Sequence, residues 1–360
     1  MKASMPTSCP NLLVSRAALQ RRLDELLAEQ QVIAPVDERG VVHFRPLESA
    51  ADVAWDYTVS VLPPSKMIHV GREELLRFTR EDAGYRTEEV PPRTQQTVLL
   101  GVHPCDLHGI LVLERTLLGK HVDPWYDAAR ANMAVIGLNC QHVGPDCFCA
   151  SFETGPFYGG WMGQGPPQGC DVLLTDLGDD YLAEVMSSKG ASLLGSAETR
   201  LAEDAALTRK GELEQAARAR FTKRLDITDL PAILLANLEH PVWARVGEGR
   251  CLSCSNCTIV CPTCYCYDVV DKADLDLKSI RRCRQWDSCR DQHFAEVHFG
   301  NFRSTRKARL RQFDCHKLCY WVEQYGCFGC IGCGRCILWC PTHIDLTENA
   351  AEIRESMRRA

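Results

Sequence analysis

Cysteine is the residue type with the clearest chemistry in this sequence, which contains 21 cysteines among 360 residues. Most of them lie beyond residue 250, where two strings share one spacing. Each string has three cysteines at two-residue gaps, a fourth after three more residues, and then a proline. The strings are Cys251, Cys254, Cys257 and Cys261 before Pro262, and Cys330, Cys333, Cys336 and Cys340 before Pro341. This spacing is typical of chains that hold two [4Fe-4S] clusters on thiolates.

The same spacing predicts which cysteines share a cluster. Three cysteines at two-residue gaps wrap around one cubane, whereas the fourth begins a helix that points toward the other cluster, as in bacterial ferredoxins. We therefore expect Cys340 to complete the cluster of the first string and Cys261 to complete that of the second. Zinc also binds Cys-x2-Cys pairs, but a zinc site has no use for a third cysteine two residues further on.

Four cysteines in the N-terminal part are candidates for a third [4Fe-4S] cluster. Two of their segments follow predicted strands, and α/β domains place functional loops at strand ends. The four are Cys105, Cys140, Cys147 and Cys149, with His103 as a substitute ligand if one thiol does not reach. The alternative is a set of buried thiols, and the sequence leaves both interpretations open.

Other cysteines lie between the two strings. The spacing of Cys283, Cys289, Cys315 and Cys319 matches that around a sirohaem, but the chain has no room for the large domain that a sirohaem requires, so we interpret the match as coincidence. Cys264, Cys266 and Cys327 are predicted to be packing thiols or neighbours of the ligands.

The elements that must position the N-terminal cysteines follow from hydrophobic periodicity. Residues 15–31 have leucines at helical spacing, and residues 32–47 contain two apolar runs around an Arg-Gly turn, which predicts a hairpin. Three apolar runs, 97–102, 133–138 and 171–175, predict buried strands, with a helix over residues 107–118 after the first. These elements predict a parallel or mixed α/β domain.

The fold class predicted for the whole chain is α+β, with two domains. Residues 1–245 form the α/β domain, which includes a Gly/Pro-rich loop at 156–169 and a helix at 201–223. Residues 246–360 form a two-cluster ferredoxin-type domain with a long inserted lobe at 263–329. Nine Lys/Arg residues between positions 281 and 311 make this lobe basic, and we interpret it as a contact surface for another subunit.

Composition and missing motifs exclude several function classes. The formal charge of -6 gives no general attraction to nucleic acid, and no apolar run approaches the length of a membrane span. The N-terminal residues lack the sections of a signal peptide, so we expect a cytoplasmic protein with reduced thiols. No dinucleotide fingerprint, P-loop, nucleophile elbow or zinc-protease motif occurs. We therefore expect no catalytic centre in this chain.

The cysteine-containing segments resemble those of a known family. The C-terminal part contains Cys251-Leu-Ser-Cys-Ser-Asn-Cys-Thr-Ile-Val-Cys-Pro-Thr-Cys-Tyr-Cys266, Trp286-Asp-Ser-Cys289 and Gly332-Cys-Gly-Arg-Cys336. The N-terminal part contains Gly101-Val-His-Pro-Cys-Asp106, Gly137-Leu-Asn-Cys140 and Cys147-Phe-Cys149. Together they resemble the iron–sulfur β subunit of cytoplasmic NAD(P)-linked nickel-iron sulfhydrogenases, and the related iron–sulfur subunit of anaerobic sulfite reductase.

This resemblance implies an electron-transfer subunit that connects two partners. One partner binds flavin and NAD(P), and the other is catalytic, most simply a hydrogenase and alternatively a sulfite reductase. The resemblance implies [4Fe-4S] clusters on the eight cysteines of the two strings. A second hypothesis is an enzyme whose N-terminal domain has its own flavin or substrate site beside the cysteines. A third is an assembly protein in which the clusters are structural. Residues 1–96 contain no motif that separates these hypotheses.

Overall fold

The computed structural model describes residues 10–162 and 168–359. Residues 163–167 of the predicted loop at 156–169 lie outside that range, as does most of the N-terminal segment on which the signal-peptide expectation depends. The strands are β1 (Asn11–Ser15), β2 (Gln31–Glu38), β3 (Val41–Pro46), β4 (Arg72–Glu81), β5 (Gly84–Glu89), β6 (Thr97–Val102), β7 (Met133–Leu138), β8 (Val172–Asp176), β9 (Asp180–Val185), β10 (Thr199–Leu201), β11 (Tyr267–Ala273), β12 (Ser279–Trp286), β13 (Glu296–Val297) and β14 (Gly300–Asn301). The helices are α1 (Arg16–Glu29), α2 (Ser65–Ile68), α3 (Pro104–Leu117), α4 (Pro124–Ala131), α5 (Ser188–Leu194), α6 (Asp204–Ala219), α7 (Leu230–Ala236), α8 (Pro241–Gly249), α9 (Asn256–Ile259), α10 (Arg306–Cys315), α11 (Trp321–Tyr325), α12 (Arg335–Leu338) and α13 (Leu346–Arg359).

The N-terminal half is built on a mixed sheet of eight strands in the order β10-β1-β9-β8-β7-β6-β2-β3. The central pairs β2/β6, β6/β7 and β7/β8 are parallel, and antiparallel strands extend both edges. The predicted helix at residues 15–31, the hairpin at 32–47 and the three buried strands are therefore confirmed. The sheet is mixed because β9 runs antiparallel to β8 and β1 runs antiparallel to β9.

Helices cover both faces of this sheet, so its central strands are apolar on both sides. Alternate residues of β6 face opposite layers: Val98 and Leu100 pack with α1 and α5, whereas Leu99 packs with α3 and α4. This arrangement explains why β6 and β7 consist almost entirely of buried apolar residues. Helix α1 begins where Ser15 Oγ accepts a hydrogen bond from the Ala18 amide at 3.1 Å.

The insertion at residues 263–329 is not a separate surface lobe. Strand β12 pairs with β4, so a second sheet in the order β11-β12-β4-β5 contains strands from both halves of the chain. Helix α10 and the π-helical turn His316–Tyr320 that follows it contribute Leu310, Cys315 and Leu318 to the C-terminal hydrophobic core. The insertion therefore packs against the C-terminal core through α10 and its π-helical turn, whereas β11 is largely exposed.

The predicted domain boundary at residues 245/246 falls within α8, and the division into two domains stays a prediction. In the residues that the structure describes, no helix combines the length and the apolar character needed to cross a membrane.

Candidate metal centres

Cys340 and the first three cysteines of the first string line a single cavity. Cys251 directly follows α8, and its amide donates a hydrogen bond to the carbonyl of Val246. The chain then turns through Ser253 and Ser255, both with positive φ, into the short helix α9. The cavity wall contains the thiols of Cys251, Cys254, Cys257 and Cys340, and Cys336 also reaches it. The fourth residue of the second string is thus brought to the first string.

A second cavity is lined by Cys261 and the first three cysteines of the second string, namely Cys330, Cys333 and Cys336. Its wall includes the apolar side chains of Phe148 and Phe313 and the buried side chain of Lys317. Cys336, Phe313 and Leu346 line both the first and the second cavity. The two sets of thiols are therefore immediate neighbours.

The four N-terminal cysteines line a third cavity together with His103. Cys105 lies in the first turn of α3, Cys140 follows β7, and Cys147 and Cys149 lie in the next loop. His103 is buried and faces the carbonyl oxygen of Thr58 through Nδ1 at 3.1 Å. Strand ends thus bring together four thiols that are up to 44 residues apart in sequence.

The second and third cavities are joined by direct packing. The amide of Phe148, between the two loop cysteines, donates to the carbonyl of Gly332 at 2.8 Å, and Thr154 Oγ1 donates to that of Ile331 at 2.6 Å. Gly332 has φ +69°, and a Cβ there would lie 2.6 Å from the Cα of Cys149. Only glycine permits this approach, which brings the two cysteine loops into backbone contact.

A buried ion pair lies at the same junction. Arg335, between Cys333 and Cys336, binds the carboxylate of Asp106 through both terminal nitrogens, at 2.6 and 2.7 Å. Its other bonds go to Ser60, where Nε donates to the carbonyl oxygen at 2.8 Å. The side chains of Arg335 and Asp106 are 0% and 1% exposed. Asp106 follows Cys105, so this pair links the cysteine-containing segments of two cavities.

Buried cations surround the sulfur atoms. Arg290, which is 2% exposed, donates from Nη2 to Cys251 Sγ at 2.5 Å. Lys317 donates to Thr263 Oγ1 at 2.7 Å and lies beside the thiols of Cys261 and Cys264. Positive charge at these positions would offset the negative charge of a thiolate-ligated cluster and raise its reduction potential.

The predicted basic contact surface is divided by this arrangement. Arg290 and Arg309 are buried, and Arg284 is buried in ion pairs with Glu73 and Asp123. Arg306 donates to the carbonyl of Cys251 at 3.1 Å, so it holds the first string in place. A count of basic residues cannot distinguish buried residues of this kind from an exposed basic face. The nine Lys/Arg residues between positions 281 and 311 do not form a single exposed face.

The first 96 residues, which contain no motif, also contribute to the sites. Lys66 Nζ donates to the carbonyl of Cys264 at 2.7 Å, and Ser65 Oγ donates to that of Pro262 at 2.9 Å. Sequence reasoning missed these residues because a single serine or lysine on a four-residue helix gives no periodic signal.

The donor sets fit polynuclear iron–sulfur clusters. Each cavity has at least four thiols on its wall, as many as one [4Fe-4S] cluster requires, and cluster binding would require each ligand as a thiolate. Burial raises the pKa of Cys257 to about 12 and that of Cys147 to about 11, so these sulfurs would lose their protons on binding metal.

A polar cavity of about 180 Å³ lies beside the third set of thiols, at the carboxyl ends of β7 and β8. His103 lines both cavities, and Tyr57 stacks on its ring with the centroids 3.9 Å apart. The predicted alternative of a flavin or substrate site in the N-terminal domain would place its ligand here.

Comparisons with known proteins agree with this chemistry. Residues 250–344 match the family model of a 4Fe-4S dicluster domain. Over 333 residues the chain is 33% identical to the protein named sulfhydrogenase 2 subunit beta from Pyrococcus furiosus, and the match covers 91% of this chain and 93% of that relative. No solved structure matches the chain.

Proposed function

The chain belongs to the family of sulfhydrogenase beta subunits, and from this premise we propose that it is the electron-transfer subunit of a hydrogenase-type complex. The observation that carries the proposal is the pair of adjoining cavities, which are lined by eight cysteines of the dicluster domain and share Cys336. A [4Fe-4S] cluster in such a cavity supplies a site that gains and loses one electron without moving the protein. The chain itself needs no catalytic residue for this task.

We propose the following ligands. Cys251, Cys254, Cys257 and Cys340 hold the first cluster, and Cys261, Cys330, Cys333 and Cys336 hold the second. The shared cavity walls support this crossed assignment, because each set contains one cysteine from the other string.

A third [4Fe-4S] cluster on Cys105, Cys140, Cys147 and Cys149 extends the relay into the N-terminal half. The packing of Phe148 on Gly332 supports a linear order, with the N-terminal cluster next to the second and the second next to the first. The first cluster is then one end of the relay. Leu252 and Cys254 are exposed there, which suits electron exchange with a partner.

The partners in this proposal are a catalytic subunit together with a subunit that binds flavin and NAD(P), in the cytoplasm. The name of the relative from Pyrococcus furiosus favours a hydrogenase over a sulfite reductase as the catalytic partner. Phe299 and Phe302, near the β13–β14 hairpin, are 94% and 80% exposed, and they are candidate contacts for one of these subunits.

Iron analysis of the full chain, prepared without oxygen, tests the proposal. Three clusters predict about twelve irons and as many sulfides per chain. Cys140→Ser should remove about four of these irons, whereas the control Cys170→Ser should remove none, because Cys170 is buried away from the three cavities. Zinc in place of iron, or fewer than about seven irons after reconstitution, would contradict the relay.

The crossed assignment has its own test. Cys340→Ala should abolish the electron paramagnetic resonance signal of the cluster at Cys251 and leave that of the cluster at Cys330. Loss of the signal at Cys330 with the other intact would show that the strings do not exchange their fourth ligands.

A further inference from the structure

The first cavity opens to solvent at Cys254. Of the twelve cysteines that line the three cavities, all of them within the described ranges, Cys254 alone is exposed. Leu252, two residues earlier, lines the same cavity and is 61% exposed. A protein that exchanges electrons with a cluster in this cavity would therefore approach it most closely at this opening.

A buried arginine joins this opening to a second exposed segment. Arg309, on α10, donates from Nη2 to Ser253 Oγ at 3.3 Å, and its Nη1 donates to the carbonyl of Arg303 at 3.0 Å. Ser253 immediately precedes Cys254, and Arg303 immediately follows Phe302, which is 80% exposed. The guanidinium of Arg309 therefore places the segment of Phe302 beside the opening of the first cavity.

Three arginines at the opening have no carboxylate partner within the described part of the chain. Arg250 and Arg306 donate to backbone carbonyl oxygens at 2.7 and 3.1 Å, and Arg303 Nε has no hydrogen-bond partner among the described residues. Lys307, on the same helix as Arg306, differs because it pairs with Glu239 at 2.8 Å. A guanidinium stays protonated throughout the pH range of a folded protein, so these three positive charges are permanent.

The positive charge here exceeds what a cluster in the cavity would offset. Four thiolates around an iron–sulfur core leave a net charge of about −2 on an oxidised [4Fe-4S] cluster. The buried guanidinium groups of Arg290 and Arg309, which bind Cys251 and Ser253, already match that charge. Asp314 is the sole carboxylate on the described cavity wall, and it is buried. With Asp314 ionised, a surplus of about two positive charges remains at the opening, where it attracts acidic groups.

We propose that this opening is the docking surface for a redox protein whose contact surface is acidic. The surface, which we call the opening face, consists of Leu252, Cys254, Phe302 and the side chains of Arg250, Arg303 and Arg306. Exposed apolar and aromatic side chains beside arginine are typical of protein interfaces, and acidic groups of a partner would neutralise the arginines. The arginines do not converge on one point, which favours an extended partner over a small anion. The inference rests on the proposed function for the presence of the first cluster.

Electron transfer from the full chain to an acidic probe tests the opening face. The chain, with its clusters reduced, is mixed by stopped flow with oxidised flavodoxin, an acidic flavoprotein. One electron leaves a reduced cluster, which returns to its oxidised state, and the flavin takes up this electron with one proton from water to become the semiquinone. Because the formal charge of the chain is -6, net charge alone predicts that the rate constant rises with salt. We expect it instead to fall, by about tenfold, between low and high salt. A rate constant that rises with salt or does not change would overturn the proposal.

Matched variants locate the effect on the surface. Phe302→Ser/Arg303→Glu should keep the iron content of the parent protein and lower the rate constant with flavodoxin by about tenfold at low salt. The control Tyr85→Ser/Arg86→Glu changes another exposed pair of an aromatic residue and an arginine, on the β4–β5 hairpin, and should react like the parent protein. Arg306 is left unchanged because it donates to a carbonyl of the first string. An unchanged rate constant in the first variant, or equal losses in both, would overturn the proposal.

Failure of the docking surface and failure of the proposed function give different results. A chain that binds no iron would refute the proposed relay, and calorimetry of flavodoxin binding to that chain at low and high salt would still decide the docking surface. Clusters that undergo reduction while the salt dependence is absent would refute the docking surface alone. If the double variant loses iron, Phe302→Ser decides, because its ring is mostly exposed. Tight binding of a DNA duplex that Arg303→Glu abolishes would assign the face to nucleic acid and overturn the proposal.

Discussion

The buried ion pair between Arg335 and Asp106 leads to a specific prediction about stability. The pair joins the walls of the second and third cavities and has almost no contact with solvent. Arg335→Met would remove two hydrogen bonds to the Asp106 carboxylate and leave that charge in a site where it is 1% exposed. Breaking a buried pair from one side costs about 3–5 kcal/mol. We expect the free energy of unfolding to fall by that amount.

The double variant Arg335→Met/Asp106→Leu isolates the pair from its surroundings. With both charges removed, the main remaining cost is the buried carbonyl oxygen of Ser60, which no longer accepts a hydrogen bond from Arg335 Nε. Leaving this acceptor unsatisfied costs about 1–3 kcal/mol. The double variant should therefore be more stable than Arg335→Met alone, by roughly 2 kcal/mol at the midpoints of the two ranges.

Urea unfolding of the full chain under anaerobic conditions, followed by tryptophan fluorescence, measures these values. The iron content of each variant is determined in parallel, because Arg335 lies between two proposed ligands. If the stability losses of the two single variants simply add in the double variant, the pair contributes no coupling. The two cavities would then be held together by backbone packing alone.

Three further changes test separate features. Arg290→Gln removes a hydrogen-bond donor to Cys251 Sγ, a loss of roughly 1.5–3 kcal/mol. The reduction potential of the first cluster should therefore fall by about 60–130 mV in a redox titration followed by electron paramagnetic resonance. An unchanged potential would contradict this role of Arg290. Gly332→Ala should cost about 1–3 kcal/mol in urea unfolding and loosen the contact with Cys149, whereas unchanged stability would show that the loop adjusts freely. Ser15→Ala removes the N-cap of α1 and should lower the free energy of unfolding by about 1 kcal/mol, which thermal unfolding would detect. An unchanged melting temperature would show that the cap does not contribute to stability.

Features that depend on local sequence were predictable. The apolar runs of β6 and β7 indicate strands covered on both faces, and each is found there. The cysteine spacing likewise predicts which thiols share a wall, because it fixes the local path of the chain around Cys251 and Cys330. These signals lie within short windows of sequence, where periodicity and steric limits act directly.

Features that depend on distant contacts were not predictable. The pairing of β4 with β12 has no local signal, since six of the ten residues of β4 are charged and show no strand-like alternation. The burial of Arg290 and Arg309 was equally hidden, because charge counts report composition and not position.

The pairing of β4 with β12 also governs the order in which the chain can mature on the ribosome. Strand β4 ends at Glu81 and its partner β12 begins at Ser279, so about 200 residues are synthesised before the edge of β4 is covered. An open strand edge of this kind invites pairing with other nascent chains, and its charged side chains reduce that hazard meanwhile. The first cavity gains Cys340 later still, because this residue follows Cys257 by 83 residues in sequence. A cluster with the proposed ligands could therefore be completed in that cavity only after the second cysteine string has been synthesised.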